Sequence, residues 1–250
     1  MALKGIPLIN PGEDLVKIVL NGLGSTKIRI QDGDILVLAQ KIVSKAEGRL
    51  VNLSTVVASQ KAKELSVLTA KDPRLLELIL RESSEVLRVR EGLIIVQHRL
   101  GFVCANAGID HSNVKGDWGH HDEWVLLLPE DPDASADKLR TQIVKITGKV
   151  IGVMIIDSHG RAWRLGTVGT CIGLSGVPGV EDLRGKPDLY NYQLRYTEVG
   201  TADELAGAAS LMMGQTDEST PIVHVRGFPY PIRESALSEI LRPKEKDLFR

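Results

Sequence analysis

A chain of 250 residues and 27.3 kDa fits one large domain or two small ones, and it is long enough to bury a real core. At 43% hydrophobic and 25% charged residues it is ordinary for a globular enzyme and wrong for a disordered chain. Lys+Arg at 31 against Asp+Glu at 32 leaves a net charge of −1, with no bulk electrostatic pull toward nucleic acid or an anionic membrane.

Cys104 and Cys171 stand too far apart in sequence to suggest a disulfide framework and read as small buried hydrophobes of a reducing compartment. The opening MALKGIPLINPGEDL lacks the apolar core of a signal peptide, and apolar runs such as residues 150–156 are too short to span a bilayer. The expected location is cytoplasmic. Aromatics make up only 4%, so Leu, Ile, Val and Ala must build the core.

In chain order, Gly12-Glu13-Asp14 opens an amphipathic helix with Leu15, Ile18, Val19 and Leu23 on one face, and Gly22 and Gly24 mark its expected end. Gln31-Asp32-Gly33-Asp34 is a turn signal ahead of the apolar strand Ile35–Ala39. Residues 41–49 carry Ser44-Lys45-Ala46-Glu47-Gly48-Arg49. Residues 54–83 have helical periodicity in two pieces broken at Asp72-Pro73, and residues 86–89 and Leu93–His98 form a hairpin around Glu91-Gly92. A loop-rich stretch over 104–124 precedes a strand at 125–128. Residues 133–147 then form a helix with Leu139, Ile143 and Ile146 on one face. A buried strand over 150–156 is expected to end at Asp157, and a glycine-spaced region runs from Gly166 to Gly179. Residues 202–213 are a helix of small residues, 221–225 a short strand, and the charged tail from Arg242 reads as mobile. Strands and helices alternate without a regular βαβ beat, so the fold class is α+β with mixed sheets.

The familiar motifs are missing: no G-x-x-x-x-G-K-[ST], no H-E-x-x-H, no paired C-x-x-C and no G-x-S-x-G. Three polar segments remain. Asn106-Ala107-Gly108-Ile109-Asp110 with Ser112-Asn113 offers a carboxylate and an amide to a hard cation, or forms an Asx turn. Asp157-Ser158-His159-Gly160-Arg161 with Trp163-Arg164 offers a carboxylate and hydroxyl for Mg²⁺ and two guanidinium forks for phosphate or carboxylate, or is a strand-ending turn with solvated arginines. Met213-Gly214-Gln215-Thr216-Asp217-Glu218-Ser219-Thr220 is a polar loop, by itself a plain connection. His120-His121 lacks further zinc ligands at a recognised spacing, Cys104 lacks an identifiable base, and His98 and His224 read as structural strand residues.

Together with Ile6-Pro7-Leu8-Ile9, residues 127–133 and Gly166 through Gly176, these segments resemble the coenzyme F420-0:L-glutamate ligase family in order and spacing over residues 5 to 235. The resemblance implies a single ligase domain over 1–250, possibly of two subdomains, without the flavin domain of some bacterial relatives, assembled as an intertwined homodimer. It implies L-glutamate, coenzyme F420-0 or its dehydro form, and GTP as substrates. Mg²⁺ or Mn²⁺, two per site, would serve as cofactor, with K⁺ as an optional further cation. Carried over by position, Asp110 and Asp157 match ligands of one metal, and Ser158 and Gln215 match those of a second. Ile6, Pro7, Leu8, Ile9, Lys45, Asn113 and the loop Met213, Gly214, Gln215, Thr216, Asp217, Glu218, Ser219 and Thr220 match the GTP site. Gln40 and Lys41 stand in that site where the family carries Ser-Thr, which is a departure, and residues 116–124 also differ. Arg161 and Arg164 are left as candidates for phosphate or substrate. A related ligase for another acid, and a non-catalytic metal and nucleotide binder, are the competing readings.

Overall fold

The computed structural model describes residues 1–248; Phe249 and Arg250, the end of the charged tail, lie outside them. Its centre is a four-stranded sheet ordered β11-β1-β7-β8, built from β1 (Ile35–Ala39), β7 (Gly152–Arg161), β8 (Arg164–Ser175) and β11 (Ile222–Val225). β1 runs parallel to β7 and antiparallel to β11, while β7 and β8 form an antiparallel hairpin. Ile35, Leu36, Val37 and Leu38 are all buried, because helices cover both faces of the sheet.

On one face lie α1 (Leu15–Ser25), α2 (Gln40–Ala46) and α5 (Pro132–Thr147), packed on Leu36, Leu38, Val153 and Ile155. On the other lies α6 (Thr201–Met213), whose Ala202, Ala206, Ala209 and Met213 pack against Met154, Ile156 and Cys171. Small side chains let α6 sit close to the sheet: a Cβ on Gly169 of β8 would fall 2.3 Å from the Ala206 carbonyl oxygen.

A second layer of structure stands beside this sheet. β3 (Ser83–Arg90), β4 (Leu93–His98) and β5 (Val103–Ala105) form an antiparallel sheet, backed by α3 (Gln60–Thr69) and α4 (Pro73–Arg81) around Ala62, Leu76, Ile79, Ile94 and Val96. β2 (Leu50–Asn52) pairs with β6 (Trp124–Leu126), and β9 (Glu181–Asp182) with β10 (Glu198–Val199). Glu82 clamps these parts together. It accepts from Arg49 at 3.0 Å and Arg99 at 3.1 Å, and Arg49 also donates to the Leu128 carbonyl at 2.9 Å. The mixed α+β class expected from the sequence is what the chain forms.

Several boundaries differ from the sequence reading. Asp14 caps α1 as its composition implied, accepting from Val16 N at 3.0 Å, but Gly22 and Gly24 lie inside the helix. Gly22 serves packing instead, since a Cβ there would meet Ile6 at 2.7 Å. Residues 40–46, left unassigned by periodicity, are the short helix α2. Helix α3 begins only at Gln60, after a 3-10 turn at Leu53–Thr55. Ile146 is 62% exposed while Leu139 and Ile143 are buried, so the apolar stripe of α5 ends one turn early. The tail is not featureless: Lys244–Lys246 form a 3-10 turn, and Lys244 pairs with Glu85 at 2.6 Å. The largest difference is β7, which does not stop at Asp157 but runs on to Arg161, because β8 pairs with it along that whole length.

Candidate active site

β1 ends at Ala39, paired with Ile156, and the chain turns there into α2. Asp157 is therefore the first residue of β7 to pass the carboxyl end of its parallel neighbour, where open sheets of this kind present ligand chemistry. A cleft of about 1070 Å³ opens at that point. Its lining includes Ile6 to Ile9, Gln40, Lys41, Lys45, Asp110, Asn113, Asp157, Ser158 and the loop from Met213 to Thr220.

Strand alternation divides the polar residues of β7. Asp157 lies on the α2 side. There its charge acts on Asp110, whose carboxyl is pushed above the usual range by burial and by Asp157, against the opposing effect of Lys41. Ser158 faces the α6 side, where its hydroxyl donates to Gln215 Oε1 at 3.0 Å. Gln215 Nε2 donates in turn to Ser210 of α6 at 3.0 Å, so the amide is held at both ends.

Asp110 is fixed in backbone and side chain. Its N–H donates to Leu126 O at 3.0 Å and its carbonyl accepts from Leu126 N at 2.9 Å. Asn106, Ala107 and Gly108 before it all have positive φ, and Gly108 also packs so tightly that a Cβ would meet Leu128 at 2.7 Å. One carboxylate oxygen, Oδ2, accepts from Gln40 Nε2 at 2.6 Å and pairs with Lys41 Nζ at 2.9 Å. Ser44, one turn along α2, donates to Gln40 Oε1 at 2.8 Å, which sends the Gln40 amide nitrogen toward Asp110.

The nucleotide-loop candidates meet through Asn113. Lys45 Nζ donates to Asn113 O at 2.7 Å, and Asn113 Nδ2 donates to Thr216 O at 3.0 Å, tying the 213–220 loop to α2. Burial and the charge of Lys41 lower the Lys45 ammonium from its usual range. Cys104 is buried and its thiol is pushed up to about 12, chiefly by burial, so it has no thiolate character.

This layout coincides with a sequence relationship. Residues 5–227 match the family of F420-0:Gamma-glutamyl ligases. The chain belongs to that family. It is 43% identical to the coenzyme F420:L-glutamate ligase of Methanothermobacter thermautotrophicus, over 100% of this chain and 98% of the relative. The enzymes of the same name from Methanocaldococcus jannaschii (43%, 88% of this chain and 86% of the relative) and Archaeoglobus fulgidus (42%, 99% and 94%) are similarly close.

Within this family member, Arg161 and Arg164 stand apart from the other candidates. Both are exposed at the tip of the β7–β8 hairpin and outside the cleft lining, with Arg161 donating to Leu165 O at 3.3 Å. The continuation of β7 past Asp157 carries them outward at about 3.3 Å per residue. Gln40 lines the cleft, but its amide nitrogen is turned to Asp110. Two residues were given no role in the sequence: His159, which lines the cleft, and Ser44, fully buried behind Gln40. Ser44 had a signal, its i, i+4 spacing from Gln40; His159 had another, the period-2 spacing from Asp157. No helix among the described residues is long and apolar enough to cross a membrane.

Proposed function

We propose that this family member joins L-glutamate to coenzyme F420-0 at the expense of GTP, and extends the product by further γ-linked glutamates. The names of its relatives support the substrates. The observation behind the chemistry is the meeting of two carboxylates, a neutral Ser158–Gln215 pair and two lysines in one cleft.

The donors suit a hard divalent cation. Burial raises the Asp110 carboxyl and the neighbouring Asp157 charge adds to that rise, a deficit of positive charge that such an ion corrects. Among the described residues no three His, Cys, Asp or Glu side chains form a metal cage. Asp110 and Asp157 would hold one ion, and Ser158 and Gln215 would contribute to a second, with phosphate oxygens and water completing each set. An Mg²⁺ or Mn²⁺ ion held there, with K⁺ as an optional addition, would supply neutralisation of phosphoryl charge.

The protein's own groups then position the reactants. Lys41 and Lys45 oppose phosphate charge, the Met213–Thr220 loop tied to Asn113 closes over the nucleotide, and exposed Leu8 offers an apolar face to the base. A carboxylate is a poor acyl donor because oxide would have to leave. The F420-0 carboxylate attacks the γ-phosphorus, an O–P bond forms, the β–γ bridge breaks and GDP departs. The glutamate amine attacks the acyl carbon, the C–N bond forms, phosphate leaves with the C–O bond electrons, and the amine proton passes to solvent. Such transfers rest on positioning and charge stabilisation and need no protein nucleophile.

The working form in this reading is a cytoplasmic homodimer, supported by free, buried cysteines and by large apolar side chains left in solvent. Trp163, Leu165, Leu189 and Tyr190 are at least 87% exposed, which a second copy would cover. The deciding experiment is GDP release from GTP with glutamate, with and without F420-0, and with ATP in place of GTP. Release requiring GTP, glutamate and F420-0 together supports the reading. Release with glutamate and a different acid would make it a related ligase, and binding without release would make it a non-catalytic binder.

A further inference from the structure

Asp157 has a polar partner that the reading above does not use. His159 Nε2 lies 3.1 Å from Asp157 Oδ2, two residues along β7 on the same face. The imidazole is only 8% exposed. Phe102 packs on it with ring centroids 5.3 Å apart, tilted at 45°, and stacks on the fully buried His98 at 5.1 Å and 7°. His98 is itself held, accepting the Leu100 N–H at 3.1 Å on Nδ1. Two aromatic layers therefore restrain the His159 ring.

Asp110 has a matching arrangement. One of its oxygens is held by a buried neutral donor, Gln40, which Ser44 orients. A carboxylate with one oxygen tied has lost most of its freedom to rotate and presents the other in a set direction. Losing a group that holds a ligand in this way typically costs about 10–100-fold in metal affinity.

We propose that His159 is a positioning residue for Asp157: its Nε2–H donates to Oδ2, holds the carboxylate rotamer, and leaves Oδ1 free for a divalent cation. A carboxylate only accepts, so the proton on that side of the ring lies on Nε2. The inference rests on the proposed metal role of Asp157. A purely space-filling His159 would be replaceable by any side chain of similar length.

Gln and Met separate the two roles, being close in shape while only Gln carries an N–H donor at the position of Nε2. The test titrates the full chain with Mn²⁺, following the electron paramagnetic resonance signal of free Mn²⁺, with melting curves for every variant. His159→Met should weaken Mn²⁺ binding by about 10–100-fold, the usual loss for such a partner. His159→Gln should stay within about threefold of the original protein, a difference well below 1.4 kcal/mol. A Met variant that binds like the original protein, or a Gln variant as weak as Met, overturns the inference. If the Met variant does not fold, Gln is compared with the original protein directly, and a loss beyond about tenfold overturns it. Asp157→Asn is the control for the underlying reading. If Asp157→Asn loses Mn²⁺ while His159→Met does not, only the positioning role fails. If the original protein and Asp157→Asn bind alike, the metal role of Asp157 fails and this inference with it.

Discussion

Asp110→Asn separates the cost of a lost charge from the cost of a damaged fold. Asn keeps an acceptor for Gln40 Nε2, so the 2.6 Å contact survives as a neutral hydrogen bond. A bond to a charged group is worth about 1.5–3 kcal/mol and a neutral one about 0.5–1.5, so about 1 kcal/mol is lost there. The pair with Lys41 is partly solvated, with both side chains about a quarter exposed, and adds little. Against these losses stands a gain. Burial and Asp157 raise the Asp110 carboxyl, so the folded protein binds that proton more tightly than the unfolded chain. Ionisation at neutral pH thus costs stability, and a neutral Asn relieves that cost. The metal-free variant should melt within about 4 °C of the original protein, since 1 kcal/mol moves a chain of this size by about 2–4 °C. Metal binding has no such compensation. Unit charges 4 Å apart interact by about 4 kcal/mol at an effective dielectric of 20, and a divalent ion loses at least that much, about a thousandfold in affinity. Calorimetry with Mn²⁺ and glutamate-dependent GDP release, run beside melting curves, check both halves. Mn²⁺ affinity within about tenfold of the original in a folded variant would refute the charge argument.

Glu82→Gln should cost about 3 kcal/mol at neutral pH, because the native contacts hold this carboxyl at about 2 rather than 4.5, each unit being worth 1.36 kcal/mol. Burial opposes that depression, and His98, Arg49 and Arg99 outweigh it. The contribution is complete above pH 4.5 and disappears as pH falls toward 2, so denaturant midpoints of the two proteins should converge in acid; a gap that stays constant would refute it. Gly169→Ala should destabilise by about 1–3 kcal/mol, since the new methyl meets the Ala206 backbone, whereas Gly160→Ala, into open space, should stay within about 0.5 kcal/mol in the same denaturation series. Light scattering should give a dimer that persists on dilution, and Leu165→Glu with Trp163→Glu should convert it to monomer; an unchanged mass would show that the exposed apolar cluster is not the interface.

Local signals in the chain were enough for most of the elements. The Asp72-Pro73 break, the Glu91-Gly92 turn, the apolar run of β1 and the small residues of α6 each announce a structure set by neighbours within a few positions. The polar segments were legible as oxygen- and nitrogen-bearing loops, each with a plain turn reading beside it, and it was their order and spacing that carried the family resemblance. What depended on pairing across the chain was not legible. Whether β7 stops at Asp157 is decided by β8, and that alone puts Arg161 and Arg164 outside the cleft. Gln40 reads as a nucleotide-site residue, and only the fold shows that its amide also reaches Asp110; His159 reads as part of a turn until the strand continues beneath Phe102. Periodicity records which side chains are buried, and composition records what they can do. Which donor meets which acceptor is fixed only when distant segments close on one another, since a hydrogen bond requires its partners within about 3 Å and local spacing cannot supply that distance.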